Sequence, residues 1–255
     1  MNYNFHTHTY RCHHASGTPE EYVLRAIEGG IKYMGFSDHF PLVLPNGTES
    51  RYRVRVAEVG DYVADALSLR EKYKDKIDIS VGFEMEYYPE AFDKMLASAK
   101  EYGAEYLICG QHFNHLEIEI THNASPSDST ERLVEYVNTV CEAIRTHKFT
   151  YIAHPDLPTF TGEGDFYKSE MRKIAVASRD ENIPLEINFL GIREGRIYPA
   201  DDFWQVAGEV GAPVTFGFDA HSTGAAYDAE SIAKAEALVE KYKLNYIGMP
   251  SLIAI

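Results

Sequence analysis

The sequence predicts an α/β chain whose parallel strands close into a barrel, on two observations. Apolar strand-like runs and helical patterns alternate seven times along 255 residues, which implies parallel βα units. Histidines and acids then recur at the C-terminal ends of strands one, two, three, four, five and seven. An open doubly wound sheet gathers ligands mainly at one switch point, whereas a barrel brings nearly every strand's C-terminal end to one mouth. The length suits a single barrel, so residues 1–255 are expected to form one domain.

The first strand is expected at Asn2 to Phe5. The first helix starts at Thr18-Pro19-Glu20-Glu21, where Thr18 can cap, Pro19 fits the first turn and Glu21 can complete a capping box. Gly29-Gly30 stops it. Strand two is expected at Tyr33 to Ser37, followed by a Pro-, Gly- and Arg-rich loop from Pro41 to Arg53. Val59, Tyr62, Val63, Ala66 and Leu67 share one face of helix two. Strand three is Ile77 to Phe83, helix three follows Pro89, and strand four is Tyr106 to Cys109. A polar stretch from Asn114 to Ser127 precedes helix four, Thr130 to Thr146. Strand five is Phe149 to Ala153, helix five Tyr167 to Glu181, and strand six Pro184 to Asn188. Helix six is Ala200 to Val210, strand seven Pro213 to Gly217, and helix seven Asp228 to Tyr242. An extended tail, Tyr246 to Ile255, is placed either against the barrel or in a subunit contact.

Composition is that of a soluble globular protein, 45% hydrophobic and 25% charged. The net charge of -15 disfavours broad binding to nucleic acid or anionic membrane. It leaves room for an anionic substrate where divalent metals reverse the local field. The three cysteines, Cys12, Cys109 and Cys141, form no CxxC pair. Cys12 reads as a loop thiol, with a ligand role open, and Cys109 as core. The N-terminus lacks a basic region and no apolar run approaches the ~18 residues of a membrane helix, so a cytoplasmic protein is expected.

His6 and His8 lie two apart on one strand end and therefore point the same way. With Asp219 and His221 at the last strand, where the barrel would close, they read as metal ligands. Glu84 emerges at the same mouth and suits bridging two cations; Glu86 shares its face and is the rival. His112 and His154 each follow an apolar run, and Pro155 restricts the backbone beside His154. His13 and His14 diverge, so one of them is expected to be a ligand. Asp38, next to His39, is a ligand, an orienter of a ligand imidazole or a proton donor. His115, His122 and His147 read as surface residues.

Taken together, the motifs resemble the PHP (polymerase and histidinol phosphatase) family of metal-dependent phosphoesterases, over essentially the whole chain. They are His6-Thr7-His8-Thr9, Cys12-His13-His14-Ala15, Asp38-His39, Gly82-Phe83-Glu84, His112-Phe113, His154-Pro155-Asp156-Leu157, Glu186-Ile187-Asn188 with Gly191 and Arg193, and Asp219-Ala220-His221-Ser222. The resemblance is nearest to the monofunctional histidinol-phosphatase branch. It implies a distorted seven-stranded TIM-like barrel with three divalent metals, zinc, manganese or iron, at the C-terminal mouth of its strands. His6, His8, Glu84 and Asp219 would hold one metal, and Glu84 would bridge to a second held with His112 and His154. His14, chosen over His13 by family spacing, would hold the third with His39 and His221.

The implied reaction is hydrolysis of L-histidinol phosphate, in histidine biosynthesis, by a hydroxide bridging two metals. Arg193 would fork onto the phosphate, and Asp38 or a histidine near the metals would protonate the leaving oxygen. Asn188, Glu86 and Arg53 are expected to contact substrate, with Tyr87 and Tyr88 beside Glu86 as the wall for its imidazole and amine. One departure stands out: Leu157-Pro158-Thr159-Phe160 lacks the basic residue expected after the His-Pro-Asp-Leu segment. Arg51, Arg53 or Arg55 would have to replace it. Without a replacement, the phosphoesterase substrate would be a nucleotide, a phosphodiester or a phosphoprotein. A non-catalytic metal-binding barrel is the remaining alternative.

Overall fold

A computed structural model describes residues 1–116 and 121–255. Residues 117–120, inside the expected polar stretch, lie outside the described residues. Among the described residues, seven parallel strands form two ladders, ordered β1-β2-β3-β4 and β5-β6-β7. The strands are β1 (Tyr3–Asn4), β2 (Tyr33–His39), β3 (Asp78–Met85), β4 (Tyr106–Cys109), β5 (Leu185–Asn188), β6 (Pro213–Gly217) and β7 (Asn245–Tyr246). The helices are α1 (Pro19–Glu28), α2 (Val59–Tyr73), α3 (Phe92–Glu101), α4 (Thr130–Arg145), α5 (Gly164–Glu181), α6 (Phe189–Glu194), α7 (Asp201–Val210) and α8 (Ala229–Tyr242).

Local chemistry sets these limits. Thr18 and Glu21 form the expected reciprocal capping box, with Pro19 in the first turn of α1. Asn182, at φ 53°, ends α5 in the left-handed conformation that asparagine tolerates. Buried apolar residues alternate along β3 as Ile79, Val81 and Phe83, and face Tyr62 and Ala66 of α2. Burying each large apolar side chain stabilises the fold by about 1.5–3 kcal/mol.

The expected fifth strand is shorter than predicted. Ile152 makes single parallel bridges to Cys109 on one side and Leu185 on the other. Its neighbours Tyr151 and Ala153 still exchange backbone hydrogen bonds with Cys109 of β4, and Ile152 itself accepts from Glu186 N–H of β5, but His154 turns to φ 31° and ends the extended run. The two ladders thus meet through one residue. A further parallel bridge, Thr7 to Ala220, ties the segment after β1 to the segment after β6. The sheet is therefore a curled parallel one with helices outside it.

Two other elements differ from expectation. α6 was not predicted; Asn188 caps it through Gly191 N–H, and Gly195 at φ 62° stops it. Part of the expected tail pairs with β6 as β7, and Ile253 N–H donates to Thr150 Oγ1. The tail thus docks on the chain's own sheet.

Candidate metal centre

The sheet register assembles the centre. Thr7 pairs with Ala220, so His6 and His8 flank one side of the bridge and Asp219 and His221 the other. By the two-residue period, all four side chains fall on one face. In the β2–β3 ladder, His39 lies opposite Glu84. His154 and Asp219 both adopt left-handed backbone angles, φ 31° and 47°. Such angles cost non-glycine residues of order 1–3 kcal/mol and cluster at functional sites.

Among the buried polar atoms without a hydrogen-bond partner in the described residues, four belong to this face: His6 Nε2, His8 Nε2, Glu84 Oε2 and Asp219 Oδ1. They converge. His6 Nε2 lies 3.6 Å from both carboxylate oxygens, and His8 Nε2 lies 3.5 Å from Glu84 and 3.2 Å from Asp219. A tetrahedral ion with arms of ~2.1 Å needs ligand separations of about 3.4 Å. The donor set and its spacing fit a divalent metal.

The outer atoms of the rings fix which nitrogen faces inward. His6 Nδ1 donates to Glu186 Oε1 at 2.7 Å, and a carboxylate can only accept, so in the neutral ring Nε2 presents a lone pair. His112 Nδ1 donates to Glu86 at 2.8 Å. His14 Nδ1 donates to the Cys12 carbonyl at 2.8 Å. His14 Nε2 then faces His221 Nε2 at 3.1 Å; two lone pairs at that distance repel unless a proton or cation lies between them. With His39 they form a second group of ligand atoms lying within 4.8 Å of one another. Glu84 Oε1 reaches His154 Nε2 at 2.9 Å and His112 Nε2 at 3.6 Å, while Oε2 reaches His39 Nδ1 at 3.0 Å. Glu84 is thus the hub common to all sides.

Electrostatics agree with a cation-demanding site. Burial would raise the Glu84 carboxyl, but His112, His39 and His6 hold it well below the usual range. Burial likewise opposes ionisation of Asp219, and His6 and His221 outweigh it. Burial works against a charge on His8, yet Asp219 and Asp38 raise it to about 9. His14 is pushed down to about 4 by burial and by His221.

Two glycines make room for carboxylates. A methyl group at Gly110 would overlap Glu84 Oε1, and one at Gly217 would overlap Glu186 Oε1. These close approaches explain why no side chain stands at either position.

The structure brings together His6, His8, His14, His39, Glu84, His112, His154, Asp219 and His221. His13 turns outward toward Glu58, and His115 and His147 pair with surface glutamates. Cys12 is buried beside His8 and His221; burial, then Asp38, keeps its thiol above the usual range.

The other expected site residues are held by partners within the protein. Asp38 does not line the mouth. Its Oδ2 accepts from Thr9 N–H and Oγ1–H, and its Oδ1 lies 2.8 Å from His39 N and 3.4 Å from His8 Nδ1. It sits behind the imidazoles, as an orienter would. Arg193 donates to the Phe218 and Asp219 carbonyls at 2.8 and 3.0 Å, so its guanidinium braces the Asp219 loop. Asn188 donates to Glu186 and Asp219 at 2.8 and 3.0 Å and braces those two carboxylates. Arg53 forks onto both oxygens of Glu86, each at 2.6 Å, and Glu86 also holds His112. Tyr88 is fully buried, and Tyr87 packs on Phe92.

A cavity of about 540 Å³ opens over the cluster. Its walls include Tyr52, Phe113, His122, Leu157, Leu190, Glu194, Arg196 and Tyr198. Sequence reasoning placed none of these at the site except through neighbouring motifs. His122 was expected on the surface; instead its ring lies 5.6 Å from that of His112, and its Nδ1 accepts from Ala124 N–H. No periodicity marks a loop residue of this kind.

Comparison with known proteins places the chain. The PHP domain model matches residues 4–189. A probable histidinol-phosphatase of Deinococcus radiodurans is 27% identical over 229 residues, covering 86% of each chain. A histidinol phosphate phosphatase of Lactococcus lactis, crystallised with zinc, L-histidinol and phosphate, superposes with a TM-score of 0.71 at 19% identity, over 99% of this chain and 97% of that one. A putative histidinol phosphatase of Listeria monocytogenes superposes with a TM-score of 0.74 at 20% identity, over 91% and 99%.

Proposed function

The chain belongs to the PHP domain family and, with phosphatases among its relatives, is a hydrolase of phosphate esters; we propose that the ester is L-histidinol phosphate. The observation that carries this reading is the convergence of His6, His8, Glu84 and Asp219 at metal-ligand spacing beneath an open cavity. The relatives support the substrate: proteins named histidinol-phosphatase match along most of this chain.

In this reading residues 1–255 form a single PHP-type domain. The bridges at Ile152 and between Thr7 and Ala220 support closure of the sheet into a distorted seven-stave barrel. Three divalent ions, zinc, manganese or iron, are held as the motifs imply. His6, His8, Glu84 and Asp219 would hold one, Glu84, His112 and His154 a second, and His14, His39 and His221 a third. Bound metals supply a water-derived nucleophile at neutral pH and neutralise phosphate oxygens.

The chain's own residues do the rest. Glu186, Asp38 and Glu86 orient His6, His8 and His112. Arg193 and Asn188 hold the Asp219 loop in its left-handed turn. Tyr52, Phe113, Leu157 and Leu190 give the cavity apolar walls that suit an imidazole ring and limit water. The partner is a small phosphorylated molecule. Among the described residues no helix is long and apolar enough to cross a membrane.

The test is phosphate release from L-histidinol phosphate by the metal-loaded protein, beside a Glu84→Gln control. Turnover in the wild type and loss of at least about a hundredfold in the control are expected, because the hub of the ligand set is removed. Turnover of nucleotides or phosphotyrosine in preference to histidinol phosphate would reject the proposed substrate.

A further inference from the structure

A guanidinium beside the metal cluster would add a forked contact to a phosphate, and the segment after His154 offers none. Leu157, Pro158, Thr159 and Phe160 occupy those positions. The lining residues of the cavity include two arginines. Arg53 is fully engaged with buried Glu86. Arg196 is different. It follows the left-handed Gly195 that ends α6, and it lines the cavity. Its Nη1 donates to Tyr198 Oη at 2.9 Å, and Tyr198, almost completely buried, stands with its ring 6.0 Å from that of His154. The guanidinium is thus carried on a fixed post beside the metal ligands.

The remaining donors of Arg196 rest on Glu194, with Nε at 2.8 Å and Nη2 at 2.6 Å. Both side chains are about half exposed and both line the cavity. An exposed pair of this kind contributes little to stability and exchanges readily. A phosphate accepts the same forked geometry from guanidinium with a larger charge. When the guanidinium turns to phosphate, the Glu194 carboxylate is released, still facing the cavity.

We infer that Arg196 and Glu194 form a split recognition pair: Arg196 takes the phosphate of the ester and Glu194 takes a cationic group elsewhere on the same molecule. The substrate class is therefore a phosphate monoester that carries an ammonium or imidazolium group. This rests on the phosphatase reading and adds to it a specificity device that discriminates against nucleotides and other purely anionic esters. Arg193, bound to the Phe218 and Asp219 carbonyls, has no part in it.

The test uses two non-hydrolysable probes that differ only in the amine, ethylphosphonate and 2-aminoethylphosphonate. Binding to the metal-loaded protein is measured by calorimetry, with metal content determined for every variant. Arg196→Met is expected to raise the Kd of both probes about fivefold to tenfold at unchanged metal content, a magnitude set by charged hydrogen bonds at a half-exposed site. Glu194→Gln is expected to raise the Kd of 2-aminoethylphosphonate about threefold and to leave or tighten ethylphosphonate. Equal affinity of Arg196→Met and wild type for ethylphosphonate overturns the inference. So does a Glu194→Gln variant that treats the two probes alike. If the wild type hydrolyses phosphate esters and the variants bind unchanged, only this pair fails. If the wild type neither hydrolyses esters nor binds either probe, the phosphatase reading falls with it.

Discussion

A ligand imidazole is only as good as the atom behind it. Glu186 serves three groups at once: His6 Nδ1 and Asn188 Nδ2, and the backbone N–H of His154. Glu186→Gln keeps the shape and removes one acceptor, so His6 loses either its tautomer or its orientation. Metal affinity is expected to fall about tenfold to a hundredfold, read by competition with a fluorescent chelator. Affinity unchanged within threefold would mean that the ring is held by packing alone. Gly110 makes the same point sterically. Gly110→Ala drives a methyl into the Glu84 carboxylate, and metal content should fall in a protein that still folds, as seen by circular dichroism and elemental analysis. Retention of full metal would show that Glu84 has room to move.

At the level of elements, the ladders deliver residues and the caps hold them. Thr18 and Asn188 are both helix N-caps, of α1 and α6, and each should contribute about 1 kcal/mol. Only Asn188 also touches site carboxylates. Thr18→Ala and Asn188→Ala are therefore expected to lower stability to urea by similar amounts, while only Asn188→Ala lowers metal content. Equal metal in both would reduce Asn188 to a cap. The same contrast explains what was legible in the sequence. The capping box at Thr18 is a local pattern, and periodic ligands such as His6-Thr7-His8 carry their direction in the two-residue period. α6 escaped notice because six residues are too few for a helical period. The carbonyls that hold Arg193 lie 25 and 26 residues away, where no local pattern points. Arg196, Tyr198 and His122 reach the cavity from irregular loops, where only tertiary packing decides direction.

For the whole molecule, charge is the governing quantity. The chain carries -15 overall, and the cluster floor adds buried carboxylates at Glu84, Asp219 and Glu186. A phosphate dianion approaching such a surface is repelled unless cations sit in the cluster. Metal removal should therefore act twice. Phosphate binding should be lost with the metal, and folding stability should fall, because ions bound only by the native state add RT ln(1 + [L]/Kd), about 2.7 kcal/mol per site at a hundredfold excess over Kd. For a chain of this size each occupied site corresponds to roughly 5–10 °C of the Tm difference between loaded and chelator-stripped protein. Asp219→Asn weakens one corner of the cage, so the gap should narrow in that variant chiefly through a lower Tm of the loaded form. Calorimetric scans of both proteins with and without metal decide the matter. Identical scans for loaded and stripped wild type would mean that the converging lone pairs are satisfied without a cation, and the metal centre would have to be abandoned.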